Sequence, residues 1–574
     1  MALSFKNYLP KKVSSTEYID FVQNYTVPNP QTSKYTVDGE IEFNSTTYNR
    51  QRLTIENTVF NNKVVFKNVS IQDGITFVNC QFRGSLEFEN VYSNNYDFEK
   101  ATTLTFLKCT VTGPLQILGC NFPKGFAADW STFDDTIIEG SKFGSFSLTN
   151  MTIQILKAKD IYIYRTDLSF EKTEIKGNIR VTNLISNYGI SALNSKFQKD
   201  VYLLGGSING IVFNANVFED NVNIEAVKNN AALAIYGDQF KKECNIRFDG
   251  DSDSGIIRGF HKSMYITAST FTSGLYVYGN IEPISLQIYC SQDLTGTMQF
   301  KGCAFKMLEV KNDNHKGNLA FHACQFSKVV FDQFTNYGNL VFSSCGSTPD
   351  SEFALIGTDI GKARLLNFDF LGFKEVIIID SIISNIESSG VKWFKPSVLK
   401  VGAKDSQYRK QREVYRQLKY ASDKQNDRIQ MLEFQAQELE CFKHEVFSNK
   451  SFPVGDQLIL WLSQTNDFGL NWIKPVVWIL LLTVAFYVPL VICASSNLTW
   501  YPATSSSDVR FTLSELLDRK VAILPQMFNP TRNLKQMFTG ELSLGTYTWD
   551  AIHRIVLAFF IVQIVSAFRK YFKS

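Results

Sequence analysis

Between Ile55 and Val91 one triplet recurs every 11 residues: Ile55-Glu56-Asn57, Phe66-Lys67-Asn68, Phe77-Val78-Asn79 and Phe88-Glu89-Asn90. A second apolar position trails the first by five residues, at Phe60, Ile71 and Phe82. The apolar spacing is therefore five, six, five, six. An α-helical face returns every 3.6 residues and cannot produce it. Short strands joined by tight corners can, because each strand buries one residue, turns, and buries the next. Two elevens then make one coil of roughly 22 residues in a solenoid.

The ladder runs far beyond this block. Phe106 and Ile117 continue it after an insertion near residues 92–99. Tyr202, Phe213, Ile224, Ile235, Ile246 and Ile257 lie 11 apart. Ile266, Val277 and Ile288 resume it, followed by Phe300, Phe305, Val310, Phe321 and Phe326. The pattern closes near Trp393-Phe394-Lys395-Pro396, which reads as a cap. A solenoid needs caps, because an open end exposes its core and unpaired strand edges.

The chain holds 48 Phe against 7 Trp, which suits stacked rings in a narrow core. Asn57, Asn68, Asn79 and Asn90 share one register and are expected at left-handed corners, forming an internal side-chain ladder. Cys80, Cys109, Cys120, Cys303, Cys324 and Cys345 each follow a leading apolar residue by three positions. One repeated slot predicts small buried hydrophobes rather than metal ligands, and no Cys-x-x-Cys occurs. Free cysteines in a column also suit a reducing compartment.

The block Phe-x-x-Cys-x-Phe, at residues 77–82, 300–305 and 321–326, resembles the pentapeptide-repeat and related right-handed β-helix proteins of bacteria. The resemblance covers roughly residues 45–390. It implies a mainly β fold, a right-handed parallel β-helix over residues 45–400. The extra residue per unit departs from strict fives and implies a looser coil than a regular square one. Some pentapeptide-repeat proteins mimic DNA with a strongly acidic surface. Here 58 Lys and Arg balance 55 Asp and Glu, so neither mimicry nor nucleic-acid binding is expected.

Residues 1–44 carry no apolar signal-peptide core and read as a cytoplasmic arm and cap. Residues 404–450 lack Gly and Pro between 405 and 447 and read as one long helix, either a linker lying on the solenoid's end or a short coiled coil. In heptad register its apolar seam is Ile429, Leu432, Ala436 and Leu439.

The membrane signal lies in residues 451–574. Residues 475–494 contain no charge and are long enough to cross about 30 Å of hydrocarbon as a helix, with a kink expected at Pro489. A second, shorter run at 552–568 ends in Arg569-Lys570-Tyr571-Phe572-Lys573, a positive-inside signal. Two crossings of the inner membrane, with both termini cytoplasmic, are expected. Gln563, His553 and Arg554 place polar groups in or beside the second crossing, where they face protein or water more often than lipid. Oligomerisation would shelter them. Between the crossings, residues 511–523 are amphipathic and 524–538 contain two prolines, consistent with an interfacial pair of helices or a re-entrant segment. This end resembles bacterial membrane proteins that carry a pentapeptide-like domain before a two-helix, channel-like region.

No Walker loop, Gly-x-Ser-x-Gly or His-Glu-x-x-His occurs, and no enzyme activity, cofactor or metal is expected. Asp249, Asp251 and Asp253 read as an acidic corner loop. Two functions remain. One is a homo-oligomeric membrane protein in which a cytoplasmic β-helix senses or scaffolds, binding a protein ligand, while the C-terminal hairpins form a pore or membrane-perturbing bundle. The other is a membrane-anchored interaction platform with no pore. Analogy with sensor-plus-membrane proteins suggests stress or phage defence as the setting.

Overall fold

The computed structural model describes residues 12–14, 16 and 35–574, apart from 45–46, 49–52, 72–73, 93–102, 248, 251–256, 259, 280–282, 403–406, 449–452, 495–520, 539–540 and 573–574. Most of the arm at 1–44, Asp251, Asp253 and residues 511–520 of the amphipathic stretch lie outside the described residues. The chain forms two units, 1–400 and 401–574.

The first unit is a parallel β-solenoid of about 15 turns. Its coil has four unequal sides, seen in Thr58–Phe60, Val64–Lys67, Ser70–Ile71 and Gly74–Val78. Short strands alternate with longer ones. The next coil stacks in register, with Phe82 on Phe60 and Phe88 on Phe66. In Val64–Lys67 burial alternates, so Val64 and Phe66 point inward while Val65 and Lys67 face out. Stacked strands carry their rings at the same spacing: Phe43, Phe66 and Phe88 follow at 4.5 and 5.0 Å, and Phe197, Phe218 and Phe240 at 4.8 and 4.7 Å.

The extra residue of each eleven is a left-handed corner placed after each long strand. Asn57, Asn68, Asn79 and Asn90 have φ of 51, 53, 53 and 53°. Asn tolerates this region better than most residues because its amide can bond locally. Their ladder is on the surface rather than internal: Asn79 Nδ2 donates to Asn57 Oδ1 at 2.6 Å in an exposed position. The internal ladder belongs to the next residue along. All six cysteines of the repeated slot are buried, and Cys80 Sγ donates to the Ile55 carbonyl at 3.3 Å. They fall on two sides of the coil, since Cys80 and Cys109 follow one column of paired strands and Cys120, Cys303, Cys324 and Cys345 the other.

In the first column the slot turns polar along the solenoid. Thr173 N donates to Ser195 Oγ, Ser195 N to Asn216 Oδ1, Asn216 N to Asp238 Oδ1 and Asp238 N to Ser269 Oγ, at 2.8–3.1 Å. Asp238 is fully buried, and burial pushes its carboxyl up to about 7.

The run of elevens misplaces its two ends. Tyr202 faces outward and stacks on Arg180, while Leu203 is the buried residue of that strand. Ile257 pairs antiparallel with Gly250 in a side hairpin, and Ile266 takes the rung. At the far end Trp393 stacks on Phe370 at 5.5 Å, and Leu399–Lys400 adds a last strand beyond it.

The second unit is helical. The single helix expected over 404–450 is instead an antiparallel pair, α1 (Gln407–Lys424) and α2 (Arg428–Ser448). Asn426 takes a φ of 58° and breaks the helix, and Asp427 Oδ1 caps the next by accepting from Gln430 N at 3.1 Å. Lys419 pairs with Glu438 at 2.6 Å and Arg412 with Glu445 at 2.8 Å across the hairpin. A short helix α3 (Val454–Ser463) follows, then a tight turn at Gln464–Gly469. Two helices are long and apolar enough to cross a membrane: α4 (Ile473–Ala494) and the Leu544–Phe568 part of a helix that runs to Phe572. Two single-turn helices, α5 (Leu524–Met527) and α6 (Leu534–Met537), lie between them, so the last helix is α7 (Leu544–Phe572). The second apolar helix therefore begins eight residues before 552. Helix α4 continues through Pro489.

Candidate functional site

Helices α4 and α7 form an antiparallel pair. Trp472 stacks on Phe568 at 5.6 Å at one end, and Ser543 Oγ donates to the Cys493 carbonyl at 2.8 Å at the other. Their outward residues are apolar, including Val477, Leu481 and Val484 on α4 and Ile555, Val562 and Val565 on α7. Thr483 is the buried exception, halfway along α4, and it meets His553 of α7, with Thr483 Oγ1 and His553 Nε2 at 3.2 Å.

The segment from Val521 to Phe538 folds back against this pair. Ile523, Met527, Leu534 and Phe538 pack on Tyr487, Leu490 and Val491 of α4. Arg532 is buried among them and meets α7. Its Nη2 contacts His553 Nδ1 at 2.9 Å, and its Nε and Nη2 donate to Asp550 Oδ1 at 2.8 and 2.5 Å. Its Nη1 donates to the Met527 carbonyl at 2.6 Å. Asp550 Oδ2 accepts from Arg554 Nε at 2.6 Å, and Arg554 Nη2 closes the ring by donating to the Arg532 carbonyl at 2.6 Å. The side chains of Arg532 and Asp550 are 2 % and 5 % exposed, which makes this a desolvated pair held by additional hydrogen bonds.

At 1.5 Å per residue, Thr483 and His553 lie about 15 Å from the Ala494–Leu544 end of the pair. The guanidinium of Arg532 in the folded-back segment therefore reaches about half the depth of the two helices, while the segment's apolar residues pack on Tyr487, Leu490 and Val491 nearer that end. Apart from Arg532 the segment's buried residues are apolar, while from Gln526 onward its exposed residues are all polar: Gln526, Asn529, Thr531, Asn533, Lys535 and Gln536, with Val521, Ala522 and Pro525 exposed before them.

Of the expected polar residues, His553 and Arg554 belong to this centre. Gln563 does not. It lies ten residues further along α7, about 15 Å away at the helical rise, is half-buried, and engages Asn466 Nδ2 through its backbone carbonyl at 3.2 Å. Thr483, Arg532 and Asp550 are partners that sequence reading missed. The signal for Asp550 was its i, i+4 spacing to Arg554 at the head of an apolar run. Nothing local pointed to Arg532 or Thr483. The expected seam is split: Ala436 is buried, Leu432 and Leu439 are half-buried, and Ile429 is 54 % exposed. Tyr415 and Leu418, two heptads before Ile429 and Leu432 in sequence, are buried within the helical pair rather than left on a free stripe.

No family model, no curated protein and no solved structure matches this chain.

Proposed function

We propose that this chain is a homo-oligomeric membrane protein. Helices α4 and α7 cross the bilayer, and the folded-back segments of several copies line a water path. The observation that carries the reading is the polar outer side of that segment, set between two helices whose own outer sides are apolar. Amide, hydroxyl and ammonium groups cannot face hydrocarbon at mid-depth without large cost. Irregular backbone at that depth is tolerated where it lines a cavity or is covered by protein. A closed ring of copies supplies both conditions. A segment lying flat on the outer surface, as an anchored platform would have, needs no buried Arg–Asp–His centre to hold it down.

Lys474 at the start of α4 and Arg569 and Lys570 near the end of α7 lie at the same end of the helix pair, so that end faces the cytoplasm in this reading, together with the solenoid. The solenoid serves as the sensing or scaffolding unit. Its exposed ladders of Asn and charged residues offer a regular surface for a protein ligand. Defence against stress or phage is the setting that this arrangement would suit.

The test is flux from liposomes reconstituted with the full chain, with mass measurement of the detergent-extracted protein. An oligomer and measurable ion flux are expected. A monomer, or an oligomer without flux in any lipid or pH condition, would leave the anchored platform as the better reading.

A further inference from the structure

We propose that the water path conducts small inorganic anions and that Lys535 sets this preference. The inference rests on the pore reading above and deepens it.

The folded-back segment, residues 521–538, contains two basic residues and no acidic one. Arg532 is buried and paired with Asp550. Lys535 is exposed, three residues along the chain from Arg532, and takes no part in the ion pairs of this unit among the described residues. Behind it, the buried centre carries its own surplus. Arg532 and Arg554 supply two positive charges against the one negative charge of Asp550. His553 adds none, because its Nδ1 faces an arginine donor and must accept. The remaining outer groups, Gln526, Asn529, Thr531, Asn533 and Gln536, are neutral. Their amides and hydroxyl can donate to an anion in place of water.

Assembly multiplies this charge. Each copy brings an exposed ammonium and a net positive centre to the same depth, and symmetry sets them in a ring. Rings of Lys or Arg favour anions and exclude cations, since the low-dielectric wall leaves the field unscreened. Glu541 is exposed as well, but it lies near the mouth, two residues before Ser543, which meets the end of α4. A charge there acts on access, where salt screens it, more than on selection.

The experiment is a reversal-potential measurement in planar bilayers under a potassium chloride gradient, using full-length protein. Wild type is expected to reverse near the chloride potential. Lys535→Gln should lower the chloride-to-potassium permeability ratio several-fold, Lys535→Glu should invert the preference, and Glu541→Gln should change it little. To separate selectivity from folding, Lys535→Cys in a Cys493→Ser background is assembled first and modified afterwards. An aminoethyl thiol reagent, which rebuilds a lysine-like charge, should restore anion preference. A sulfonatoethyl reagent should oppose it. Current that is cation-selective in wild type, or a reversal potential unmoved by Lys535→Glu and by both reagents, overturns the assignment while leaving the pore in place. No current from any variant overturns both.

Discussion

His553 Nδ1 lies 2.9 Å from Arg532 Nη2, and this one contact sets the state of the ring. A guanidinium can only donate, so Nδ1 accepts and the proton of the neutral imidazole sits on Nε2. Nε2 then donates to Thr483 Oγ1 at 3.2 Å. The contact ties the folded-back segment to both long helices at once. Thr483→Val keeps the shape and removes the acceptor. It should cost about 1–3 kcal/mol, the price of one buried donor left unmatched. Thr483→Ser should recover most of it. Thermal unfolding in detergent distinguishes the two.

Asp550 neutralises Arg532 and also holds Arg554. Asp550→Leu would leave a buried guanidinium without its counter-ion, and about 3–5 kcal/mol of destabilisation is expected. The paired change Arg532→Met with Asp550→Leu removes both charges and should regain much of that loss. Equal melting temperatures for the single and double variants in the same detergent would mean that the two groups are not coupled.

Phe77 and Phe321 test the solenoid core. Phe77 lies 5.1 Å from Phe106 and 5.2 Å from Phe82, and Phe321 lies 5.2 and 5.0 Å from Phe300 and Phe342. Either ring replaced by Ala should destabilise its coil by about 3–5 kcal/mol. Because coils contact mainly their neighbours, faster hydrogen exchange should stay within one or two turns of the substitution. Loosening spread over the whole solenoid would contradict nearest-neighbour coupling.

Asp238 gives the solenoid a pH dependence whose sign can be worked out. Its carboxyl titrates near 7 when folded, against an ordinary value of 3.8. Between these values the folded chain holds a proton that the unfolded chain has released. The contribution of Asp238 to stability is therefore greatest below about 4, falls as pH rises toward 7, and levels above it. The loss is of order 4 kcal/mol at most. Asp238→Asn should flatten this slope. It should not add stability throughout, because Tyr236 N donates to Asp238 Oδ2 and an amide nitrogen cannot accept. Denaturant melts of wild type and variant from pH 4 to pH 8 would reveal the difference in slope.

The solenoid was legible because its rule is local and repeated: one inward residue, one corner, one small residue, then again. Spacing alone put Asn57 at its left-handed corner and Cys80 in its buried slot, but not the Asn ladder on the outer surface. Tyr202 could not, since a coil of slightly different length slips an outward residue into the counted register. The break between α1 and α2 was hidden because Asn426 and Asp427 end and cap helices without Gly or Pro. Its trace is that Ser422 and Gln425, one heptad before the seam residues Ile429 and Leu432, are polar. The site was hardest to read. Thr483, Arg532 and His553 are separated by up to 70 residues, and their meeting depends on a fold-back that no periodicity announces.

The last prediction separates the water path from the lipid face. Gln563 and Gln526 are the same residue type in different surroundings. Gln563 sits half-buried on α7, beside the exposed Val562 and Ile561, while Gln526 is exposed on the folded-back segment. Gln526, Asn529 and Gln536 are all exposed on that segment, so a pore lined by it would hydrate them. Gln563→Leu extends an apolar surface and should leave ion flux within about twofold of wild type. Gln526→Leu with Gln536→Leu lines the same path with hydrocarbon. A hydrophobic constriction gates by expelling water, so flux should fall by about tenfold or more while the oligomer stays intact. Flux from liposomes, with the oligomer's mass checked for each variant, decides between them. If Gln563→Leu is the change that stops flux, the water path runs along α7 and the folded-back segment is packing.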